Sequence, residues 1–253
     1  MTTLVMLRGL GRDRRHWEGF DDKLRALDVK VLCLDLPGNG TLAERKSPLR
    51  VEEYADELSH RLDTLGVGAC VVLGISFGGM VALSLAARDQ RVRAVWVLGS
   101  SDRHSPWFRR FSLPAVVFAG VTAAASVLRQ RVLPDPRPEI GLVETAIVKL
   151  VSHQRGEDWE LIARWSRLHQ VACTSLGNML RQLWAAWRFE APPVNCPSYF
   201  IHGKNDRLVH PCCSESLAGR YGAPVHYLPN GGHDLALDVQ PQLLALLTDV
   251  VAD

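Results

Sequence analysis

The chain carries almost no net charge: its 253 residues hold 29 Lys and Arg against 27 Asp and Glu, a balance of +2. So even a distribution excludes a basic nucleic-acid binder and a supercharged tail. Long hydrophobic runs are also missing. One uncharged stretch, 111–128, has 18 residues and contains Pro114 and Gly120. A membrane span needs about 20 predominantly apolar residues, so no span is expected and the stretch reads as a buried or pocket-lining helix. The opening MTTLVMLRGLG has no basic n-region and no small-residue cleavage site, which predicts no secretory leader and a cytoplasmic protein. The six cysteines (Cys33, Cys70, Cys173, Cys196, Cys212 and Cys213) lack zinc-ligand spacing. Adjacent Cys212 and Cys213 read as reduced thiols at a helix start. No metal or organic cofactor is implied.

What the chain does have is alternation. Apolar, β-prone segments fall at Leu4–Leu7, Val29–Leu34, Cys70–Leu73, Val92–Leu98, Ser198–Ile201 and Val225–Leu228. Helical patterns lie between them: Asp13–Trp17 leads into one that runs through about Leu27, and others fall at Val51–Leu65, Met80–Ala87, Cys213–Tyr221 and Pro241–Val251. This rhythm predicts an α/β fold with a mostly parallel, doubly wound sheet. The rhythm stops between 102 and 190, where helical stretches are broken by Pro134, Pro136 and Pro138. The chain is therefore expected to divide into a core, 1–101 with 191–253, and an inserted helical cap, 102–190.

The cap holds 12 Lys and Arg against 8 Asp and Glu, leaving 17 against 19 for the rest. Five of the seven tryptophans (Trp107, Trp159, Trp165, Trp184, Trp187) also lie there. An aromatic-walled acyl pocket with basic groups receiving an acidic substrate or carrier protein is one reading. The plainer one, tryptophans gluing short helices and solvated arginines, is favoured for most of these residues.

Chemistry concentrates where strand meets helix in ACVVLGISFGGMVALSLAA, residues 69–87. Glycines at 74 and 78 flank Ser76, a G-x-S-x-G nucleophile elbow in its strand–turn–helix context. A serine hydroxyl is a poor nucleophile without a base in hydrogen-bond reach, and the base needs an orienting acid. Two later loops supply them: His202-Gly203-Lys204-Asn205-Asp206, and Pro229-Asn230-Gly231-Gly232-His233-Asp234. In an open parallel sheet such loops share the carboxyl edge with the elbow. The order Ser76, Asp206, His233 is that of α/β-hydrolase triads.

Among the other histidines, His202 reads as structural, and His16, His60, His153 and His169 fall in helical or surface contexts. Asp102, ending the strand beside the elbow, is the alternative acid; Asp35 reads as a brace for the Pro37-Gly38 turn. The Phe77 amide after the nucleophile and the Leu10 amide in the loop Arg8-Gly9-Leu10-Gly11 are placed to hold an oxyanion.

These motifs, taken in order, resemble the α/β-hydrolase superfamily over about 1–101 and 195–253. Within it the chain is similar to compact bacterial carboxylesterases of the pimeloyl-ACP methyl ester esterase type. The supporting residues are the glycine loop with Trp17, D-x-P-G-x-G at 35–40, G-x-S-x-G-G at 74–79, G-x-x-D at 203–206 and G-G-H at 231–233. The resemblance implies Ser76 as nucleophile, His233 as base, Asp206 as orienting acid and the Leu10 and Phe77 amides as oxyanion hole. It implies hydrolysis of a small-molecule carboxylic ester through an acyl-enzyme. A thioesterase, or a methyl ester esterase with an acyl carrier protein as partner, is the alternative. A lyase, a cofactor-free peroxidase and a low-turnover receptor on the same fold stand further off. Arg8-Gly9 departs from the His-Gly usual there, and Gly38-Asn39-Gly40 from Gly-His-Gly. A serine at 76 argues against the aspartate-dependent haloalkane dehalogenases.

Overall fold

Parallel strands cannot be joined by tight turns, so each neighbour needs a crossover, and the crossover helices bury both faces of the sheet. That is why the strand segments are continuously apolar rather than alternating. The structure, a computed structural model, describes residues 2–110 and 141–251. The uncharged stretch 111–128 and the proline cluster 134–138 lie outside them.

The strands are β1 Thr3–Leu7, β2 Lys30–Leu34, β3 Cys70–Ile75, β4 Val92–Leu98, β5 Ser198–Gly203 and β6 Val225–Leu228. They form one parallel sheet in the order β2-β1-β3-β4-β5-β6. On one face Val5, Leu7, Val72 and Val95 pack in one cluster with α2, Val51–Thr64, and α3, Phe77–Ala86. On the other, Leu4, Met6, Leu73 and Trp96 pack with α1, Phe20–Arg25, and with Leu243 and Leu247 of the C-terminal helix Gln240–Val251. β3 lies between β1 and β4, pairing Gly74 with Leu7 and with Val97. Its carboxyl end is thus flanked by the loops that follow Leu7 and Leu98.

The helical pattern at 13–27 divides in two. Asp13 caps a single 3₁₀ turn, Arg14–Trp17, and the chain then reverses through Glu18 at φ 52° and Gly19 at φ 76° before α1 begins. Left-handed residues end a helix, so an uninterrupted one is impossible here. β5 runs two residues past the expected Ile201, to Gly203.

Between β4 and β5 the described residues form only helices: α4 Trp107–Arg110, α5 Leu142–Val151, α6 Trp159–Ala172 and α7 Leu176–Arg188. Asp158 and Ser175 cap α6 and α7 by accepting from the Leu161 and Asn178 amides. Polar side chains, more than tryptophans, fasten these helices to the sheet layer. Asn178 donates to the carbonyls of Ala43 and Arg45, and Gln182 donates to Asn39 Oδ1 at 2.7 Å. Asn39 is thereby a structural contact between the β2 turn and α7. Only Trp165 of the five tryptophans is buried, whereas the other four are 46–63% exposed, so the gluing role does not extend to them. Arg110 is not solvated either. It is buried and donates to the Ala186 and Trp187 carbonyls, capping the end of α7. After β5 come α8 Pro211–Gly219, α9 Leu235–Asp238 and α10 Gln240–Val251. Among the described residues no helix is long and apolar enough to cross a membrane.

Candidate active site

A strand that must turn into a helix within one residue has to strain that residue. Ser76 carries the strain, at φ 55° and ψ −116°. Its amide donates to Leu98 O at 2.7 Å, and its carbonyl accepts from Gly79, Met80 and the Ser100 hydroxyl. These bonds start α3 at Phe77, three residues before the apolar pattern suggests. Close approach dictates the flanking glycine. A Cβ on Gly78 would lie 2.6 Å from Leu7 O and 2.7 Å from Arg8 O, both backbone atoms of β1 and its loop. Gly78→Ala is expected to destabilise the fold by about 3 kcal/mol, as overpacking against an unyielding wall does. A lowered urea midpoint checks this.

The His233 loop follows β6 and places the ring against Asp206, with Nδ1 2.7 Å from Oδ2. Asp206 Oδ1 accepts from the Leu208 and Val209 amides at 2.8 and 2.9 Å, while Oδ2 also lies 3.2 Å from His202 Nε2. Burial works against the Asp206 charge, but His233 and His202 outweigh it and hold the carboxyl far below its usual range. An ionised carboxylate only accepts, so Nδ1 of His233 must carry the proton. That leaves Nε2 as a free base.

Burial likewise opposes a charged His233, yet Asp206 and then Asp234 outweigh it and raise its pKa. A histidine must be neutral to accept a proton. The acid limb of kcat/KM is therefore expected above the ordinary imidazole value of about 6.5, as a pH–rate profile would show.

Asp102 is turned elsewhere: it accepts from the His104 amide at 3.0 Å and pairs with Arg220 at 3.2 Å. His202 is buried, 2.7 Å from the Ser214 hydroxyl. Asp35 braces its turn by accepting from Arg14 and Thr41 amides. Cys212 and Cys213 are free thiols at the start of α8.

A Cβ on Gly9 would sit 3.4 Å from Ser76 Cβ, so the loop after β1 passes directly beside the elbow. Gly11 N donates to Gln182 Oε1 at 3.0 Å and Arg12 N to Gly9 O at 3.2 Å, fixing that loop. Among the described residues, no hydrogen-bond acceptor lies on the Leu10 or the Phe77 amide. Ser76 and His233 line one cavity of about 250 Å³, with Leu10 on its wall. No hydrogen bond joins Ser76 to His233; such bonds commonly tighten only when substrate binds.

Val143, Ile147, Leu168 and Met179 supply an apolar side to this cavity. The same cavity is also lined by a polar cluster that the order of residues did not reveal. Arg12 donates to Glu144 at 2.9 Å, its other terminal nitrogen lies 3.2 Å from His16 Nε2, and it stacks 4.6 Å over Trp165. His169 meets the second Glu144 oxygen at 3.1 Å. Burial opposes the Glu144 charge, but Arg12 and His169 pull its pKa down to about 2. His16, expected in a helical or surface context, is buried and lines the cavity. Arg12 and Glu144 stand 132 positions apart, a pairing that leaves no periodic trace, which is why spacing missed the cluster.

The chain matches the family model of the alpha/beta hydrolase family over residues 4–245 and belongs to that family. It is 32% identical to homoserine O-acetyltransferase of Thermus thermophilus over 136 residues, covering 51% of this chain and 32% of that protein. It is 36% identical over 270 residues to the biotin biosynthesis bifunctional protein BioHC of Cellvibrio japonicus, covering 97% of this chain and 47% of that protein. The chain thus spans less than half the length of either. An esterase from Exiguobacterium antarcticum is 17% identical, with a TM-score of 0.77 over 100% of this chain and 92% of that one, a likeness of fold.

Proposed function

We propose that this hydrolase cleaves a small carboxylic ester through an acyl-enzyme on Ser76. The observation that carries the reading is Ser76 on a positive-φ elbow, lining one cavity with a His233 that is hydrogen-bonded to buried Asp206. Nε2 of His233 takes the Ser76 hydroxyl proton as Oγ bonds to the ester carbonyl carbon. The carbonyl oxygen becomes an oxyanion held by the Leu10 and Phe77 amides, the latter at a helix N-terminus. The tetrahedral intermediate collapses, the C–O bond to the alcohol breaks, and His233 returns the proton to the leaving oxygen. Water then attacks the acyl-enzyme, its proton passing to His233 and on to Ser76. The cycle is balanced by these residues and water alone.

Residues 102–190 act as the cap that selects substrate, and the cavity of about 250 Å³ suits a short acyl group. The acyl-carrier alternative rested on the positive cap. Arg110 adds little to that charge, being buried against the end of α7, whereas Arg109 is exposed.

A fluorophosphonate probe is expected to label the wild type and not Ser76→Ala, alongside turnover of p-nitrophenyl butyrate. Equal labelling of both proteins would overturn the assignment.

A further inference from the structure

β1 and β6 are separated in the sheet by β3, β4 and β5, so no ladder of hydrogen bonds ties the loop after β1 to the loop after β6. Yet the proposed oxyanion donor Leu10 is on the first and His233 on the second. One contact spans the gap. Arg8 places one terminal nitrogen 3.2 Å from Asp234 Oδ1 and the other against Oδ2, across 226 positions of chain. Both residues are buried, at 3% and 2% exposed. The guanidinium lies 4.8 Å over the buried Trp17 ring, and its Nε has no hydrogen-bond partner. Asp234 is anchored in turn by its amide, which donates to Val151 O at 2.8 Å.

We propose that Arg8 is a positioning residue for this hydrolase, its two-point grip on Asp234 holding the oxyanion loop and the histidine loop in one geometry. The inference rests on the roles given above to Ser76 and His233. A planar fork matched to a carboxylate fixes orientation as well as distance, which a lysine ammonium cannot do. Gly9, directly after Arg8, is the residue that passes beside Ser76, and Asp234 directly follows His233. Any rotation of the pair is therefore passed to both catalytic loops.

The pair also sets the charge around the base. The groups facing His233 are Asp206, Asp234 and Arg8, with His202 on the far side of Asp206. Asp234 favours the imidazolium and Arg8 opposes it. Removing Arg8 alone leaves Asp234 uncompensated.

The test compares Arg8→Lys, Arg8→Gln and the double variant Arg8→Gln/Asp234→Asn, using p-nitrophenyl butyrate kinetics and an imidazole NMR titration of His233. Both single variants are expected to lose kcat by about 10–100-fold, the scale of a misplaced catalytic group, with KM within about threefold of wild type. His233 in Arg8→Gln should titrate about one pH unit higher. It should return toward the wild-type value in the double variant while kcat stays low. Should Arg8→Gln not fold, Arg8→Lys and the double variant carry the test. Raised KM with kcat intact would make Arg8 a substrate-binding group, and unchanged kcat and titration would reduce the pair to a structural tie; either overturns the proposal. A wild type that a fluorophosphonate does not label would instead overturn the hydrolase reading, since the titration reads the coupling without activity.

Discussion

His233→Ala is expected to lower kcat for p-nitrophenyl butyrate by about a million-fold, as Ser76→Ala is, with the double variant no slower than either. In the proposed mechanism nucleophile and base act as one unit, so deleting the second member removes nothing further. Neither His16 nor His202 can step in. His16 is held between Arg12 and Asp13, and burial first of all lowers its pKa. His202 lies behind Asp206, engaged by the Ser214 hydroxyl and Val209 O. The residual rate is expected from the proposed oxyanion donors, the Leu10 and Phe77 amides, and from binding. Asp206 keeps the Leu208 and Val209 amides and His202 when His233 is removed, so the variant is expected to fold. A thermal melt beside the kinetics verifies this. More than a tenth of wild-type kcat in folded His233→Ala would show that the base lies elsewhere.

The core of the fold was legible because its causes are local. The strands at Val92–Leu98 and Val225–Leu228 stand where the apolar runs place them, and the G-x-S-x-G turn sits between a buried strand and a buried helix. The glycine of that turn has a steric duty to β1 that only a small residue can meet. Loops gathered on one sheet edge by topology could be anticipated as well. This is how Asp206 and His233, 27 positions apart, could be paired before their 2.7 Å contact was seen. What escaped was whatever depends on long-range side-chain pairing. Arg8 was noticed as a departure from His-Gly, but nothing in its neighbourhood points to Asp234. Glu144 is one of several charges in its stretch of sequence, and only the folded chain brings Arg12 and His169 to it. Helix boundaries failed for a different reason. At Glu18 and Ser76 a backbone conformation set by tertiary bonds, and not by periodicity, decides where the helix stops or starts.

Asp206→Asn is expected to lower kcat by about ten-thousand-fold while leaving the ring and its neighbours in place. The size follows from which way the amide must face. Oδ1 of Asp206 takes two backbone donors, Leu208 N and Val209 N, which cannot move without unwinding the loop after β5. An asparagine at 206 satisfies them only by keeping its carbonyl oxygen there. Its NH2 then replaces Oδ2 and points at His233 Nδ1. A donor in that position forces Nδ1 to accept, so the ring proton moves to Nε2, the nitrogen that must receive the Ser76 proton. The same NH2 meets His202 Nε2, which lies within 3.1 Å of Val209 O and donates on that side in the wild type. Asparagine therefore sets two donors against each other there, and some loss of stability accompanies the loss of rate. KM should stay within about threefold, because the tautomer governs proton transfer and not binding. With the carboxylate gone, burial acts on His233 opposed chiefly by Asp234, so its pKa should fall below the wild-type value in an imidazole NMR titration. A large kcat loss with an unmoved titration would place Asp206 outside the charge environment of the base. An unmoved kcat would return the role of acid to another carboxylate, with Asp102→Asn as the control.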